Sequence, residues 1–291
     1  MKAAPFAYRR AASLEEVCAL LDEGDGDRMI IAGGQTLVPL MAMRMVRPSL
    51  LVDINDVAEL AGIGASDGAV AIRAGTRQAA ALTSPIVRER APLLVKALPF
   101  VGHIQTRNRG TVGGSVALAD PSAEIPLVAV ALEATITLRS RRGVRAIGAE
   151  EVLRAPMTTA REANECVTEV AFPVWNGAGR IGTGFEEVSE RSGDFAIVAA
   201  AAQLLLDESG VCRRAAVAVG GAGPVPARIA AAERTLVGRR PDESAAREAA
   251  AHTGSVIDPT DDGHATAAYR RRVAPVLVQR AILSAINEAR G

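Results

Sequence analysis

Two glycine pairs in similar surroundings constrain this 291-residue chain more than any other feature. In MIIAGGQTLVPLMAMRM, Met29 to Met45, a strand-like apolar run stops at Gly33-Gly34 and a helix-like run follows. The second pair lies in RGTVGGSVALADPSAE, Arg109 to Glu124. Glycine tolerates positive φ and lets a ligand approach the backbone closely. Two such junctions in one chain suggest that both contact the same ligand.

Polar residues that can donate hydrogen bonds flank both pairs. Gln35 and Thr36 follow the first pair, and Thr111 and Ser115 enclose the second. Main-chain N–H groups at such a junction, with a helix N-terminus behind them, form an anion site. We therefore expect the two loops to hold the two phosphates of a dinucleotide. A tight turn explains either pair alone equally well.

The hydrophobic pattern around the glycine pairs alternates between strand and helix. Ser13 and Glu16 form a capping box for a first helix, and the first α/β unit closes near residue 56. Thr76 is a candidate cap for the helix that follows it. Further on, SRRG is the predicted turn of a hairpin, and two strands should flank DESG. We predict a final helix from about Ala265 to Arg290, kinked or started at Pro275.

Clustered glycines in VWNGAGRIGTG mark a change in composition near residue 176. We predict a first domain over residues 1–176, with subdomains of about 1–56 and 57–176, and a C-terminal domain over 177–291. Within this cluster GAGRIG matches G-x-G-x-x-G, but a strand-like run follows it and no helix opens there. A dinucleotide site of the Rossmann type is therefore rejected at this position.

Composition excludes several functional classes. The formal net charge is zero and aromatic residues make up 3%, so nucleic acid is not an expected partner. Cys18, Cys166 and Cys212 stand far apart without a CxxC, which argues against zinc or an iron–sulfur cluster held by this chain. No apolar tract reaches the roughly 20 residues of a membrane span, and no secretory signal is visible. We expect a cytoplasmic protein.

Long segments of the chain resemble one known family. AGGQTLVPLMAMRMVRPSLLVDIN and GHIQTRNRGTVGGSVALADPSAEIPLVAVALEA are similar to the FAD-binding medium subunit of the molybdenum hydroxylases, of the xanthine dehydrogenase and carbon monoxide dehydrogenase type. GFEEVSERSGDFAIVAAAA and YRRRVAPVLVQRAI resemble it too, so the likeness covers nearly the whole chain in order. The resemblance implies an α+β fold. It consists of a two-subdomain FAD-binding unit of the vanillyl-alcohol oxidase and peptidoglycan-precursor reductase type, plus a smaller C-terminal α+β domain.

The resemblance also implies which residues contact FAD. The first glycine segment would hold the pyrophosphate through main-chain amides, and the second would touch phosphate and ribityl. Val101 would lie at the cofactor, and Glu124 matches an acidic position that hydrogen-bonds it. The cofactor-binding set is Ile30, Ile31, Ala32, Gly33, Gly34, Gln35, Thr36, Leu37, Val101, Thr111, Val112, Gly113, Gly114, Ser115 and Glu124. We expect no catalytic side chain and no metal ligand in this chain.

Two positions depart from the family pattern. Some relatives carry a lysine that reaches the flavin ring where this chain has Glu186-Glu187, and a common leucine is replaced by Arg161. We therefore expect an unusual flavin environment. His103 is interpreted mainly as a loop-shaping residue, with proton donation to the flavin as the alternative. Arg107 and Arg109 are candidates either for phosphate neutralisation or for ion pairs with a partner subunit.

The function implied by the resemblance is electron transfer within a complex. FAD in this chain would accept electrons from [2Fe–2S] clusters of a small subunit, after a large molybdenum–pterin subunit has oxidised the substrate, and pass them to an external acceptor. A heterotrimer, or a dimer of heterotrimers, is the expected assembly. The alternatives are a stand-alone FAD oxidoreductase of the same fold and a non-catalytic assembly module.

Overall fold

The computed structural model describes residues 2–24, 26–66 and 68–291 and shows a mixed α+β chain, as predicted. The strands are β1 (Ala7–Arg10), β2 (Arg28–Ile31), β3 (Leu50–Asp53), β4 (Ile63–Ala65), β5 (Ala69–Arg73), β6 (Thr135–Ser140), β7 (Gly143–Gly148), β8 (Leu153–Ala155), β9 (Thr158–Thr159), β10 (Cys166–Pro173), β11 (Arg180–Val188), β12 (Val198–Leu206), β13 (Cys212–Gly220) and β14 (Ala227–Arg228).

The α-helices are mostly short, apart from the last. They are α1 (Leu14–Asp22), α2 (Leu37–Ala42), α3 (Gln78–Thr83), α4 (Pro85–Arg90), α5 (Pro92–Ala97), α6 (Ile104–Arg109), α7 (Val112–Leu118), α8 (Glu124–Ala131), α9 (Ala149–Val152), α10 (Ala230–Leu236), α11 (Glu243–Ala250) and α12 (Ala267–Arg290). Among the described residues, no helix has the length and apolar character that crossing a membrane requires.

The first sheet is parallel, in the order β1-β3-β2. Helix α1 connects β1 to β2 and begins with the predicted capping box. Ser13 Oγ accepts from the Glu16 amide at 3.2 Å, and Glu16 Oε2 accepts from the Ala12 amide at 2.8 Å. This sheet positions the first glycine pair, because the pair follows the C-terminal end of β2.

The second sheet has the order β4-β5-β10-β6-β7 and is antiparallel. The predicted SRRG hairpin is confirmed, since β6 pairs with β7 in a register that places Ser140 opposite Gly143. Helix α8 is buried at every residue, as expected for a helix that is apolar all round. It therefore forms the centre against which the surrounding elements pack.

The third sheet is also antiparallel, in the order β11-β12-β13-β14. All nine residues of β12 are buried, because α12 and α8 both pack against that strand. Gly182 and Gly184 admit the backbone of α12, since a Cβ at either would collide with a carbonyl of that helix. The strand that follows GAGRIG confirms that no Rossmann helix opens there. The predicted boundary near residue 176 lies in the connection between β10 and β11.

Two local predictions are wrong in detail. The helix after the first glycine pair stops at Ala42, because the chain turns at Arg44 with φ of 60°. Thr76 does not cap α3; its hydroxyl donates to the carbonyl of Gly62 at 2.9 Å. The predicted final helix is confirmed, since α12 runs from Ala267 to Arg290. It continues through Pro275 and does not start there.

Candidate functional site

The two glycine motifs meet in space, and Gly33 is the contact point. A methyl group on Gly33 would lie 2.8 Å from the Cα of Gly110 and closer still to the carbonyl oxygen of Arg109. Arg77 ties this junction together by donating to the Arg109 carbonyl and, at 2.7 Å, to Asn55 Oδ1. Gly33 is therefore needed because the backbone before the second motif passes directly beside it.

A cavity of about 360 Å³ opens beside the first motif. Gly34 lies in its wall with φ of 70°, a conformation that favours glycine. Arg109, which directly precedes the second motif, also lines the cavity. Its lining residues are Ile31, Ala32, Gly33, Gly34, Gln35, Val38, Pro39, Asp53, Asn55 and Arg109.

Successive backbone amides at this cavity are free. Within the described part of the chain, the amides of Gly33, Gly34, Gln35 and Thr36 donate to no protein acceptor, while the Gln35 side chain donates to the Gly33 carbonyl at 3.0 Å. Consecutive N–H groups in such a turn form an anion-binding concavity. The first motif thus has the donors that a diphosphate requires.

Charged groups of both signs lie at the cavity. Burial lowers the pKa of Arg77, and the nearby charge of Arg109 adds to this, so two cations lie close together. Asp53 also lines the cavity. Burial alone would raise its pKa, but hydrogen bonds from Tyr8 and from Asn55 outweigh burial and hold the pKa below its usual value. The carboxylate of Asp53 is therefore engaged by protein donors.

The second motif is not the open loop of hydrogen-bond donors that the sequence predicts. Residues Val112 to Leu118 form α7, with Thr111 as the N-cap. The amides of Val112, Gly113 and Gly114 donate within the protein at 2.9–3.0 Å. Their acceptors are the carbonyls of Thr76 and Ala74 and the hydroxyl of Thr111. These amides are not available to a phosphate in this arrangement.

Close packing explains Gly113, whereas Gly114 is exposed. A Cβ on Gly113 would collide with Ala74, but one on Gly114 would approach only the Thr111 hydroxyl, at 2.7 Å. The surface of Gly114 and the half-buried Ser115 remain open to a ligand. The assignment of this motif to FAD stays a prediction. It rests on the accessible surface of Gly114 and Ser115 and not on free amide donors.

The loop before α6 is held by Arg107. Its Nη1 donates to the carbonyls of Val101 at 3.0 Å and Gly102 at 2.7 Å, so Arg107 shapes this loop and does not line the cavity. Val101 is 8% exposed. His103 packs beside Gly193, where a Cβ would lie 2.5 Å from its Cε1. The loop-shaping role of His103 stays a prediction.

A buried glutamate, Glu124, and a half-buried one, Glu187, both have raised pKa values. Glu124, the first residue of α8, is 4% exposed, and burial raises its pKa to about 7. Burial, with a contribution from Glu124, raises the pKa of Glu187 to about 8. Sequence reasoning treated Glu187 only as a departure from a family pattern. The alternation along β11, which turns Glu187 toward the same side as Phe185, was the signal available.

The side chain of Arg161 binds carbonyl groups of the loop that contains it. Its Nη1 donates to the carbonyls of Glu162 at 2.9 Å and Glu165 at 2.8 Å, and burial lowers its pKa. Among the described residues, no group of three His, Cys, Asp or Glu side chains is placed to hold a metal ion. The three cysteines are free and buried.

Both parts of the chain match models of known protein families. Residues 4–175 match the family described as FAD binding domain in molybdopterin dehydrogenase, and residues 183–285 match the CO dehydrogenase flavoprotein C-terminal domain. The chain is 41% identical to the 6-hydroxypseudooxynicotine dehydrogenase complex subunit alpha of Paenarthrobacter nicotinovorans, over 100% of this chain and 97% of the relative.

Two further comparisons, one of sequence and one of structure, identify similar proteins. The chain is 31% identical to the carbon monoxide dehydrogenase medium chain of Hydrogenophaga pseudoflava, covering 96% of each chain. The structure is similar to a chain of quinoline 2-oxidoreductase from Pseudomonas putida 86, with a TM-score of 0.93, 38% identity and 99% of both chains covered.

Proposed function

We propose a function from the premise that this chain belongs to the family of FAD-binding subunits of molybdopterin dehydrogenases. The chain is the FAD subunit of an oxidoreductase complex. Our proposal is that its FAD receives electrons from [2Fe–2S] clusters of a small partner subunit and delivers them to an external acceptor. A large molybdenum–pterin subunit would carry out the substrate oxidation.

The first glycine motif carries this proposal. It combines unpartnered amides at Gly33, Gly34, Gln35 and Thr36 with a cavity that Arg109 lines. A dinucleotide diphosphate needs several donors in a small space and a cation nearby, and this arrangement supplies both. The residues present therefore fit FAD.

Each part of the chain has a separate task in holding the cofactor. The amides of the first motif bind the diphosphate, and Arg109 offsets its charge. Arg107 fixes the loop that carries Val101, while Thr111 and α7 hold the exposed face of Gly114 in place. When bound, FAD supplies the ability to take up electrons and release them in pairs.

The names of the relatives support a role inside a complex. One is a complex subunit and another a medium chain, and both are covered almost completely by this chain. A protein of this length with the same coverage is expected to need partners for substrate oxidation. The organic substrate would then be chosen by another subunit.

Purification of the chain alone and with its co-expressed partner subunits tests the proposal. We expect the chain alone to retain FAD and to oxidise no candidate substrate, and we expect substrate to reduce the flavin only in the complex. Substrate turnover by the pure chain would instead establish a stand-alone oxidoreductase. A colourless chain that still assembles with the partners would establish an assembly module.

A further inference from the structure

Asn55, which follows β3, connects the first glycine motif to the segment that precedes α3. Its Nδ2 donates to the carbonyl of Ala32 at 3.0 Å, and its Oδ1 accepts from Arg77 Nη2 at 2.7 Å. Ala32 directly precedes Gly33, and all three of Ala32, Gly33 and Asn55 line the same cavity. Asn55 therefore contacts the backbone that leads into the donor turn, residues 33–36, without belonging to that turn.

Arg77 extends this connection to the backbone before the second motif. Its Nη1 donates to the carbonyl of Arg109. A Cβ on Gly33 would lie closest to that same carbonyl oxygen, so Gly33 and Arg109 already lie side by side there. The contacts close a ring that runs from Ala32 to Asn55, Arg77 and Arg109 and back to Gly33. A closed ring fixes the distance between the donor turn and Arg109 from both sides.

The side chains of Asn55 and Arg77 extend from backbone that has contacts of its own. The Asn55 amide donates to Asp53 Oδ1 at 2.8 Å, and Asp53 is the last residue of β3. Arg77 forms a backbone bridge with Thr111, the N-cap of α7. Substitution of either side chain therefore removes the connection between the two segments while these backbone contacts remain.

Asparagine suits position 55 because it both donates and accepts. Asp53 Oδ1 accepts a second bond from Asn55 Nδ2, while the other Asp53 oxygen accepts from the hydroxyl of Tyr8. A carboxylate and a carbonyl only accept and an arginine only donates, so these partners determine the orientation of the amide. The nitrogen has to face Asp53 and Ala32, and the oxygen has to face Arg77. A side chain that only accepts, such as aspartate, cannot make the same contacts.

We propose that Asn55 is a positioning residue for the diphosphate and that Asn55 and Arg77 together form a clamp, which holds the donor turn against Arg109. This role rests on the proposed function, which assigns the diphosphate of FAD to that turn. Amide donors and a cation bind a diphosphate best when their spacing is set before the ligand arrives, because less freedom is then lost on binding. The clamp supplies that spacing.

The clamp lies near the surface, which limits its contribution to the stability of the fold. Asn55 is exposed and Arg77 is half-buried. Hydrogen bonds between such groups replace bonds to water, so each one stabilises the folded chain only modestly. Opening the clamp should therefore change the geometry of the cavity wall much more than it changes the free energy of unfolding.

Equilibrium titration of the full chain with FAD tests the clamp. Asn55→Ala should weaken binding by roughly fivefold, the change expected for the loss of one hydrogen bond. Arg77→Ala should weaken binding at least as much, because it also removes a cation. The double variant should bind about as weakly as Arg77→Ala alone, since both substitutions open the same ring. Asn164→Ala is the matched control, because its Nδ2 also donates to an aspartate, Asp22, at 3.2 Å, but it does not line the cavity.

Amide NMR of the full chain freed of FAD separates positioning from direct contact. Asn55→Ala should shift the amide resonances of residues 33–36 before any ligand is added, and Asn164→Ala should leave them unchanged. Unchanged resonances together with weakened FAD binding would overturn the positioning role and assign Asn55 directly to the cofactor. Native FAD affinity in Asn55→Ala, or losses that multiply in the double variant, would overturn the clamp.

Failure of the proposed function gives a different result. A native chain that binds no FAD contradicts the assignment of the diphosphate to the donor turn. The resonances of residues 33–36 in Asn55→Ala then still decide whether Asn55 holds that turn in place.

Discussion

The two glycine motifs look alike in sequence, but the structure uses them differently. In the first, the amides of residues 33–36 are free and open to a cavity. In the second, residues 112–114 begin a helix and their amides are engaged inside the protein. This contrast supports our proposal that the first motif binds the cofactor, whereas the second holds the backbone against which the first one rests.

This difference changes the structural reason for a glycine at each position. Gly33 lacks a side chain because the Arg109–Gly110 backbone occupies that space, and Gly113 lacks one because of Ala74. Neither glycine is explained by room for a phosphate. Gly34, with its positive φ, is the residue whose conformation shapes the donor turn itself.

Gly113→Val should have the largest effect. Its side chain would collide with Ala74 in a buried contact, so we expect a loss of about 3 kcal/mol in unfolding free energy. Denaturant unfolding of the full chain measures it. Gly114→Ala is the matched neighbour, and it should cost far less because only the Thr111 hydroxyl has to move. Equal losses for both variants would mean that the second motif is not divided in this way.

Gly33→Ala should separate the two motifs and weaken FAD binding at least tenfold, which is about 1.4 kcal/mol. The added methyl group meets backbone atoms of Arg109 and Gly110, so the donor turn has to shift. Equilibrium titration with FAD measures the dissociation constant. Gly64→Ala is the control, since it has open space and no positive φ. Native affinity in Gly33→Ala would show that contact between the motifs is unnecessary.

The sequence was sufficient for the α+β fold, the sheet hairpins and the existence of a first donor turn. Periodicity and turn residues are local signals, so SRRG and the Ser13 capping box were predicted correctly. The hydrogen bonding of the second motif could not be predicted from the sequence, because its amides donate to the carbonyls of Thr76 and Ala74, which lie more than 30 residues earlier. The sequence alone does not distinguish a glycine that leaves room for a ligand from a glycine that leaves room for neighbouring protein atoms.

The same limit applied to the charged residues. Arg107 and Arg109 are two positions apart, yet Arg107 holds loop carbonyls and Arg109 lines the cavity. The surroundings of Glu187 depend on how β11 packs against the N-terminal part, which consists of residues far from it in sequence. Only the three-dimensional arrangement settles such roles.

Arg109→Gln should weaken FAD binding by roughly fivefold, or about 1 kcal/mol, because it removes an exposed cation from the cavity wall. The loss should shrink as salt is added, since salt screens exposed charges. Titrations at low and high ionic strength measure both effects. Arg88→Gln, an exposed arginine on α4 that does not line the cavity, should bind FAD like the native chain.

Thr111→Val should have the smallest effect, a loss of about 1 kcal/mol in stability, because it removes the N-cap bond to the Gly114 amide. FAD affinity should change little if the second motif mainly supports the first. Unfolding and FAD titration of the same preparation separate the two. A large loss of affinity with unchanged stability would assign the Thr111 hydroxyl directly to the cofactor.

Amide NMR of the full chain during titration with ADP, which carries the diphosphate without the flavin, tests the central claim most directly. The amide resonances of Gly33, Gly34, Gln35 and Thr36 should shift strongly, while those of Val112 and Gly113 should move little. Large shifts at residues 112–113 with a silent first motif would contradict the division of roles between the two motifs.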